Sequence, residues 1–214
     1  MKLTWYGHSC FLITTSSGKR ILIDPFNQSI GYNNNFPKSD IVTLSHNHFD
    51  HSFLDNINDN AEIINETGLF KFDFIEIEGI KSFHDKCNGI KRGPNIIYIF
   101  RLENLKICHL GDLGHIPSKL ILNKLDNIDI LLIPVGGHIT LNGEEASKIS
   151  KIISPKYIIP IHYKTFRSSL YLDDAKHFLI SMKNITKIKS NVVDLNSLNF
   201  YSKNNVLFLS PPLD

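Results

Sequence analysis

Apolar and polar residues alternate with a period of two through much of the first half of the chain. Leu3 to Tyr6, Cys10 to Thr14 and Arg20 to Ile23 read as strands, with Ser16-Ser17-Gly18-Lys19 as a hairpin turn. Asn27 to Ser39, rich in Asn and carrying Gly31 and Pro37, predicts an irregular loop. The apolar run Ile41-Val42-Thr43-Leu44 predicts a further strand, followed by a short helix from about Phe53 to Ile57 and a strand near Glu62 to Asn65. Alternation returns at Phe72 to Glu78 and Ile80 to Phe83. Asp85 to Pro94 is polar and reads as a loop. Asn95 to Arg101 and Leu105 to His109 then form a hairpin turning at Glu103-Asn104. Helices are predicted at Ser118 to Leu125, from Asn142-Gly143-Glu144-Glu145 onward, and near Leu172 to Met182. Strands at Ile130 to Ile133 and Tyr157 to Ile161 separate them, and short strands close the chain.

Bulk properties narrow this picture modestly. A chain of 214 residues suits a single compact domain, 1–214, with a sizeable core. Its 42% hydrophobic and 21% charged content is ordinary for a globular protein. A net charge of +2 argues against nucleic acid or an anionic membrane surface as partner. No apolar run is long enough to span a bilayer, and Lys2 leads into an alternating strand rather than a signal-peptide core. Cys10, Cys87 and Cys108 form no close pair, which points to reduced thiols and a cytoplasmic location.

Chemistry concentrates in Ser45-His46-Asn47-His48-Phe49-Asp50-His51, directly after an apolar strand. His46 and His48, two apart, can grip one ion if the extended geometry persists. Asp50 and His51 are placed for a second ion nearby. Neutral imidazole and carboxylate suit zinc and similar divalent metals. Two ions need more ligands, and His84, Asp112 and His162 each stand just past an apolar strand.

The pattern His-x-His-x-Asp-His resembles the signature of the metallo-β-lactamase superfamily. The opening Trp5-Tyr6-Gly7-His8-Ser9-Cys10, Ile23-Asp24-Pro25, His109-Leu110-Gly111-Asp112, Ile133-Pro134-Val135-Gly136-Gly137 and Ile159-Pro160-Ile161-His162-Tyr163-Lys164 resemble its small UlaG-like branch, which includes lactonases. The resemblance implies an α/β fold, a four-layer αββα sandwich. It implies that His46, His48 and His84 hold one metal, that Asp50, His51 and His162 hold a second, and that Asp112 bridges both, with Asp50 and Asp112 as the catalytic carboxylates. His109 competes with His84 for the third place at the first metal; His84 is preferred because the strand before it ends as the ligand geometry needs. Zinc is the first choice of metal, and manganese or iron the alternative.

Asp24 reads either as the partner that fixes a ligand imidazole or as a turn-forming Asp before Pro. His8, His115 and His138 lie at strand ends or Gly-containing turns and could shape a substrate pocket, and Lys164 could bind an anionic group. The expected function is hydrolysis of a small ester, lactone or phosphodiester by metal-activated water, by a chain able to form an oligomer. The alternatives are a di-iron redox enzyme, for which His48 stands where such relatives carry a carboxylate, and a non-catalytic metal-binding module. The short stretch between His51 and His84 leaves no room for the inserted domain of the superfamily's RNA-processing nucleases. An aspartate at position 112 also weakens an antibiotic-degrading reading.

Overall fold

The computed structural model describes residues 1–213. In chain order its strands are β1 (Lys2–Gly7), β2 (Cys10–Thr14), β3 (Arg20–Ile23), β4 (Ile41–Thr43), β5 (Glu62–Ile64), β6 (Gly68–Phe72) and β7 (Ile75–Phe83). There follow β8 (Pro94–Leu102), β9 (Leu105–His109), α1 (Lys119–Lys124), β10 (Ile130–Pro134), α2 (Gly143–Ile153), β11 (Tyr157–Ile161), α3 (Lys176–Ile180), β12 (Asn184–Ile188), β13 (Val192–Asp194) and β14 (Asn205–Leu209). They make two sheets, one ordered β13-β1-β2-β3-β4-β5 and the other β12-β14-β11-β10-β9-β8-β7-β6. This is the expected αββα sandwich.

Alternation within the first sheet divides its side chains between two cores. Leu3, Trp5, Phe11, Ile13, Ile21, Ile23 and Ile41 belong to the main core, shared with Ile77, Ile99 and Ile107 of the second sheet. Cys10, Leu12, Leu22 and Val42, one residue out of phase, pack outward against Phe26, Ile30 and Tyr32. The outer layers are unequal. Helix α2 lies against β10 and α3. The outer face of the first sheet is covered by loop residues and one 3-10 turn, Gln28–Ile30.

Three expectations need correcting. Residues 53–57 form a turn, closed by Ile57 N–H to the Leu54 carbonyl, and Phe53 N–H donates to Pro25. Five residues are too few to nucleate a helix against such tertiary bonds. The stretch 72–83 is not two successive strands: Phe72 ends β6, and β7 runs unbroken from Ile75 to Phe83, paired with β6 on one side and β8 on the other. The helix expected over 172–182 shrinks to α3, because Asp173 N–H is drawn to the Gly136 carbonyl and Lys164 N–H to that of Asp173, holding the preceding chain extended. The β8–β9 hairpin turns as expected, with Glu103 and Asn104 both at positive φ.

Strand direction decides where chemistry can gather. β3 runs parallel to β4, and β1 is antiparallel to β2, itself antiparallel to β3. In the second sheet β9, β10 and β11 are parallel, and β7 is related to β9 by two antiparallel steps through β8. The C-terminal ends of β1, β3 and β4 therefore share one edge of the first sheet, and those of β7, β9 and β11 share one edge of the second.

Candidate metal centre

Those strand ends carry His8, Asp24, His46, His84, Asp112 and His162, all buried, and the two edges meet at one end of the sandwich. The main chain bends sharply as it leaves the strands. His8, Asp24 and His162 have φ of 52°, 48° and 51°, left-handed conformations that cost a non-glycine residue energy and recur at functional sites. The bends lock to one another: His162 N–H donates to the His8 carbonyl, which also accepts the Trp5 indole N–H at 3.1 Å. Glycine is needed where loops cross. A Cβ at Gly136 would stand 2.1 Å from the His162 carbonyl oxygen, and one at Gly111 (φ 56°) would stand 2.4 Å from Asn95 Oδ1.

Three groups of potential ligand atoms lie within 4.8 Å of one another: His46, His48 and His84; His8, Asp50, His51 and His162; and His46, His51 and Asp112. Asp112 sits between the others. Its Oδ1 is 3.2 Å from His51 Nε2, and its Oδ2 is 3.0 Å from both His84 Nε2 and His162 Nε2. The structure thus brings together His46, His48, Asp50, His51, His84, Asp112 and His162. Only His48 is partly exposed, so the cluster reaches solvent on that side.

Hydrogen bonds aim the imidazoles. His51 Nδ1–H donates to Asp24 Oδ2 at 2.9 Å. Ser45 spends its hydroxyl proton on the same carboxylate at 2.6 Å, so its oxygen accepts from His46 Nδ1–H at 2.9 Å. Ser45 N–H fills the remaining Asp24 oxygen at 2.7 Å. His84 Nδ1–H donates to the Ile139 carbonyl. In each ring the Nε2 lone pair is left facing the cluster, the tautomer a metal requires. Asp112 is positioned by Asn95, whose Oδ1 accepts the Asp112 N–H while its amide donates to Ser82 Oγ and the Leu110 carbonyl.

The result is a buried knot of polar atoms without partners. His46 Nε2, His51 Nε2, His84 Nε2, His162 Nε2 and both Asp112 oxygens make no hydrogen bond. Buried polar atoms rarely go unpaired, and here they converge. Metal cations held among them would satisfy these atoms, and the nitrogen and oxygen donors fit zinc, manganese or iron. Burial, reinforced by neighbouring His51, pushes the His46 pKa down to about 2, which keeps the ring neutral as a ligand must be. Burial would likewise discharge His51, but the surrounding carboxylates of Asp112, Asp50 and Asp24 outweigh it and hold its pKa up. Burial also opposes ionisation of Asp112, yet His162 and His51 keep it an anion well below the usual carboxylate range.

The other sequence candidates divide. Asp24 anchors two ligand rings, as above. His8 lies inside the cluster, its Nε2 3.2 Å from Asp50 Oδ2 and its ring 4.3 Å from that of His162. Burial and the neighbouring His162 push its pKa down to about 4. His109 is excluded as a ligand: its Nε2–H donates to the Ser9 carbonyl and its Nδ1 accepts the Gly111 N–H, so both nitrogens are committed. His115 is likewise bound to backbone, accepting the Phe83 N–H beside His84, and so steadies the end of β7 rather than lining a pocket. His138 donates to Asp173 and packs on Tyr171. The Lys164 ammonium donates to the carbonyls of Ser168 and Leu170 at 2.6 and 2.9 Å.

Ser45 and Asn95 went unnoticed in the sequence, as did Asp85. The Asp85 carboxylate accepts backbone N–H bonds from Cys87, Gly89, Lys91 and Arg92, organising the whole loop that follows His84. Desolvation opposes its ionisation, but these four bonds together outweigh it and draw its pKa down to about 2. An aspartate ahead of a Gly-containing loop was the available signal for Asp85. For Asn95, seventeen residues from the group it positions, the sequence carries none.

Comparison with known proteins agrees with this geometry. The β-lactamase superfamily domain matches residues 2–162. A metal-dependent hydrolase of Bacillus thuringiensis is 28% identical over 87% of this chain and 95% of its own length. Another, from Thermoplasma acidophilum, is 30% identical over 78% and 84%. The crystal structure of a candidate Zn-dependent hydrolase of the metallo-β-lactamase superfamily from Thermotoga maritima, 32% identical, superposes with a TM-score of 0.78 over 97% of this chain and 98% of that one. Strand ends converging on imidazoles and carboxylates, and a domain match across three quarters of the chain, place this protein in the metallo-β-lactamase superfamily as a metal-dependent hydrolase.

Proposed function

We propose that the protein hydrolyses a small ester, lactone or phosphodiester with a water activated between two divalent ions, zinc foremost. His46, His48 and His84 would hold one ion, Asp50, His51 and His162 the other, and Asp112 would give an oxygen to each. Ions so held would lower the pKa of bound water from 15.7 towards about 7 and polarise the substrate oxygen. What carries this reading is the convergence of orphaned Nε2 atoms and carboxylate oxygens in a buried cluster.

The chain's own groups do the rest. Asp24, Ser45 and the Ile139 carbonyl fix the ligand tautomers. Asn95 keeps Asp112 aimed inward. Asp50, held by His8, and Asp112 would be the catalytic carboxylates, placing negative charge in the cluster and able to accept a proton there. The partly exposed His48 marks the open side by which substrate enters, which favours chemistry over a closed structural site.

The test is elemental analysis of protein purified without added metal, followed by a panel of lactones and phosphodiesters. Asp112→Ala and His162→Ala should each abolish turnover and retain the native circular dichroism spectrum. Wild-type activity in both variants across the panel would overturn the reading. Iron with a visible absorption band and no hydrolysis would replace it with the redox alternative.

A further inference from the structure

A cleft of about 490 Å³ shares His46 with the metal cluster. It opens where the free edge of β5 faces β7 and β8. Leu44, Leu54, Pro94 and Ile96 give it apolar walls, and Asn47, Asn65 and Thr67 add neutral polar groups. Its volume lies within the 300–1,000 Å³ typical of small-molecule sites, and Ser45, Ser52 and Asn95 complete a lining that mixes polar with apolar groups. A second cavity, of about 340 Å³ between Tyr6, Tyr32 and Asn191, touches no member of the metal cluster.

The cleft is built rather than incidental. The Tyr98 hydroxyl lies within 3.2 Å of the carbonyls of Leu44 and Ile64, tying the second sheet to the ends of β4 and β5. Ile96 N–H donates to the Ser45 carbonyl at 2.8 Å. The wall beside His46 is therefore fixed by the same strand ends that fix the ligands.

Its charge is one-sided. Among the described residues that line it, Lys81 is the charged side chain and no carboxylate is present. The Lys81 ammonium makes no ion pair with a described residue and lies 5.8 Å from the Phe83 ring centroid. Lys81 lies in β7, three residues before His84 in sequence, so the strand that carries the charge also leads to the cluster.

We infer that this cleft holds the acyl part of the substrate, and that Lys81 recognises an anionic group at its far end. The inference rests on the hydrolase reading above and adds a substrate class: an ester or lactone whose acyl chain ends in a carboxylate or phosphate. A cationic terminus has no counter-charge there and is disfavoured.

Zinc-loaded protein is assayed with 4-nitrophenyl monoesters of a six-carbon dicarboxylic acid, its neutral methyl ester, and a chain of equal length ending in phosphate. The wild type should prefer the anionic esters over the neutral one by about fivefold in kcat/KM, the scale of one ion pair open to water. Lys81→Met, which keeps the stem, should collapse that ratio to about one through KM, and Lys81→Arg should retain it. Preference for one anion assigns the terminus as carboxylate or phosphate. No anionic preference in the wild type, or the same preference in Lys81→Met, overturns the inference. If no ester turns over, binding decides: calorimetry with the corresponding anilide acids and their methyl esters should show the same fivefold preference in the wild type and its loss in Lys81→Met. Equal affinity in the two proteins sinks the cleft assignment, whereas tight anion-selective binding without turnover sinks the esterase reading alone.

Discussion

Asp24→Asn is the sharpest perturbation available, because one carboxylate orients His51 directly and His46 through Ser45, two imidazoles that the proposed function assigns to different ions. The substitution preserves volume and removes acceptor capacity. An amide oxygen can keep the Ser45 N–H, now 2.7 Å from Oδ1. The amide nitrogen then stands where Oδ2 stood, opposite the Ser45 hydroxyl and His51 Nδ1–H, at 2.6 and 2.9 Å. Donors would face donors. His51 recovers a bond only by moving its proton to Nε2, which withdraws that atom from the metal. Ser45, turned to accept from the amide, donates to His46 Nδ1 and drives the same shift there. A hydrogen bond to a charged group contributes about 1.5–3 kcal/mol, and loss of such an orienting partner weakens metal affinity by about 10–100-fold. Each ion should therefore bind about 10–100-fold more weakly, measured by competition with a chromophoric zinc chelator. Ser45→Ala, which interrupts only the path to His46, should weaken one ion and spare the other. Circular dichroism of the metal-free proteins checks that the fold survives. Affinity within about twofold of wild type for both ions in Asp24→Asn would refute the orientation argument.

Three further outcomes follow from the packing. Tyr98→Phe removes the hydroxyl shared by the buried carbonyls of Leu44 and Ile64 and should cost about 1–3 kcal/mol, read as a lower urea midpoint at unchanged slope. Gly136→Ala forces a methyl against the His162 carbonyl and should lower stability by about 1–3 kcal/mol, and a melting temperature equal to wild type would contradict the crowding. Of the three cysteines, Cys10 and Cys108 are fully buried, and burial pushes both thiols well above their ordinary pKa. A thiol reagent at pH 8 should therefore modify Cys87 rapidly and the other two only after denaturation, whereas three equal rates in native protein would place those strands incorrectly.

The sequence disclosed the ligands more readily than the scaffold that aims them. His46, His48, Asp50 and His51 announce themselves because they are adjacent and follow an apolar strand. His84, Asp112 and His162 could be proposed because each follows a strand. Strand ends alone favour His84 over His109, but the reason His109 is unavailable is one that local patterns do not encode: it lies within β9, where its two nitrogens meet the Ser9 carbonyl and the Gly111 N–H. Ser45 and Asn95 act at long range or through a neighbour, so no motif marks them. The missing helix at 53–57 and the shortened one at 176–180 fail for a related reason. Their backbone groups are claimed by distant loops, and apolar spacing alone cannot register that competition.

The same logic explains why residues so far apart along the chain make one compact cluster. A parallel relation between strands sends their C-terminal ends to a common edge, so a ligand placed just past a strand is delivered there whatever its distance in sequence. His8, Asp24 and His46 arrive from the first sheet, and His84, Asp112 and His162 from the second. The left-handed turns at His8, Asp24 and His162 then cost conformational energy, of order 1–3 kcal/mol each. They persist because each is held by a bond to another strand end: Asp24 by Thr43 and Ser45, and His162 N–H by the His8 carbonyl. The strain is thus stabilised by the neighbours that the cluster itself requires. Loosening the backbone at any one strand end should therefore disturb candidate ligands arriving from both sheets.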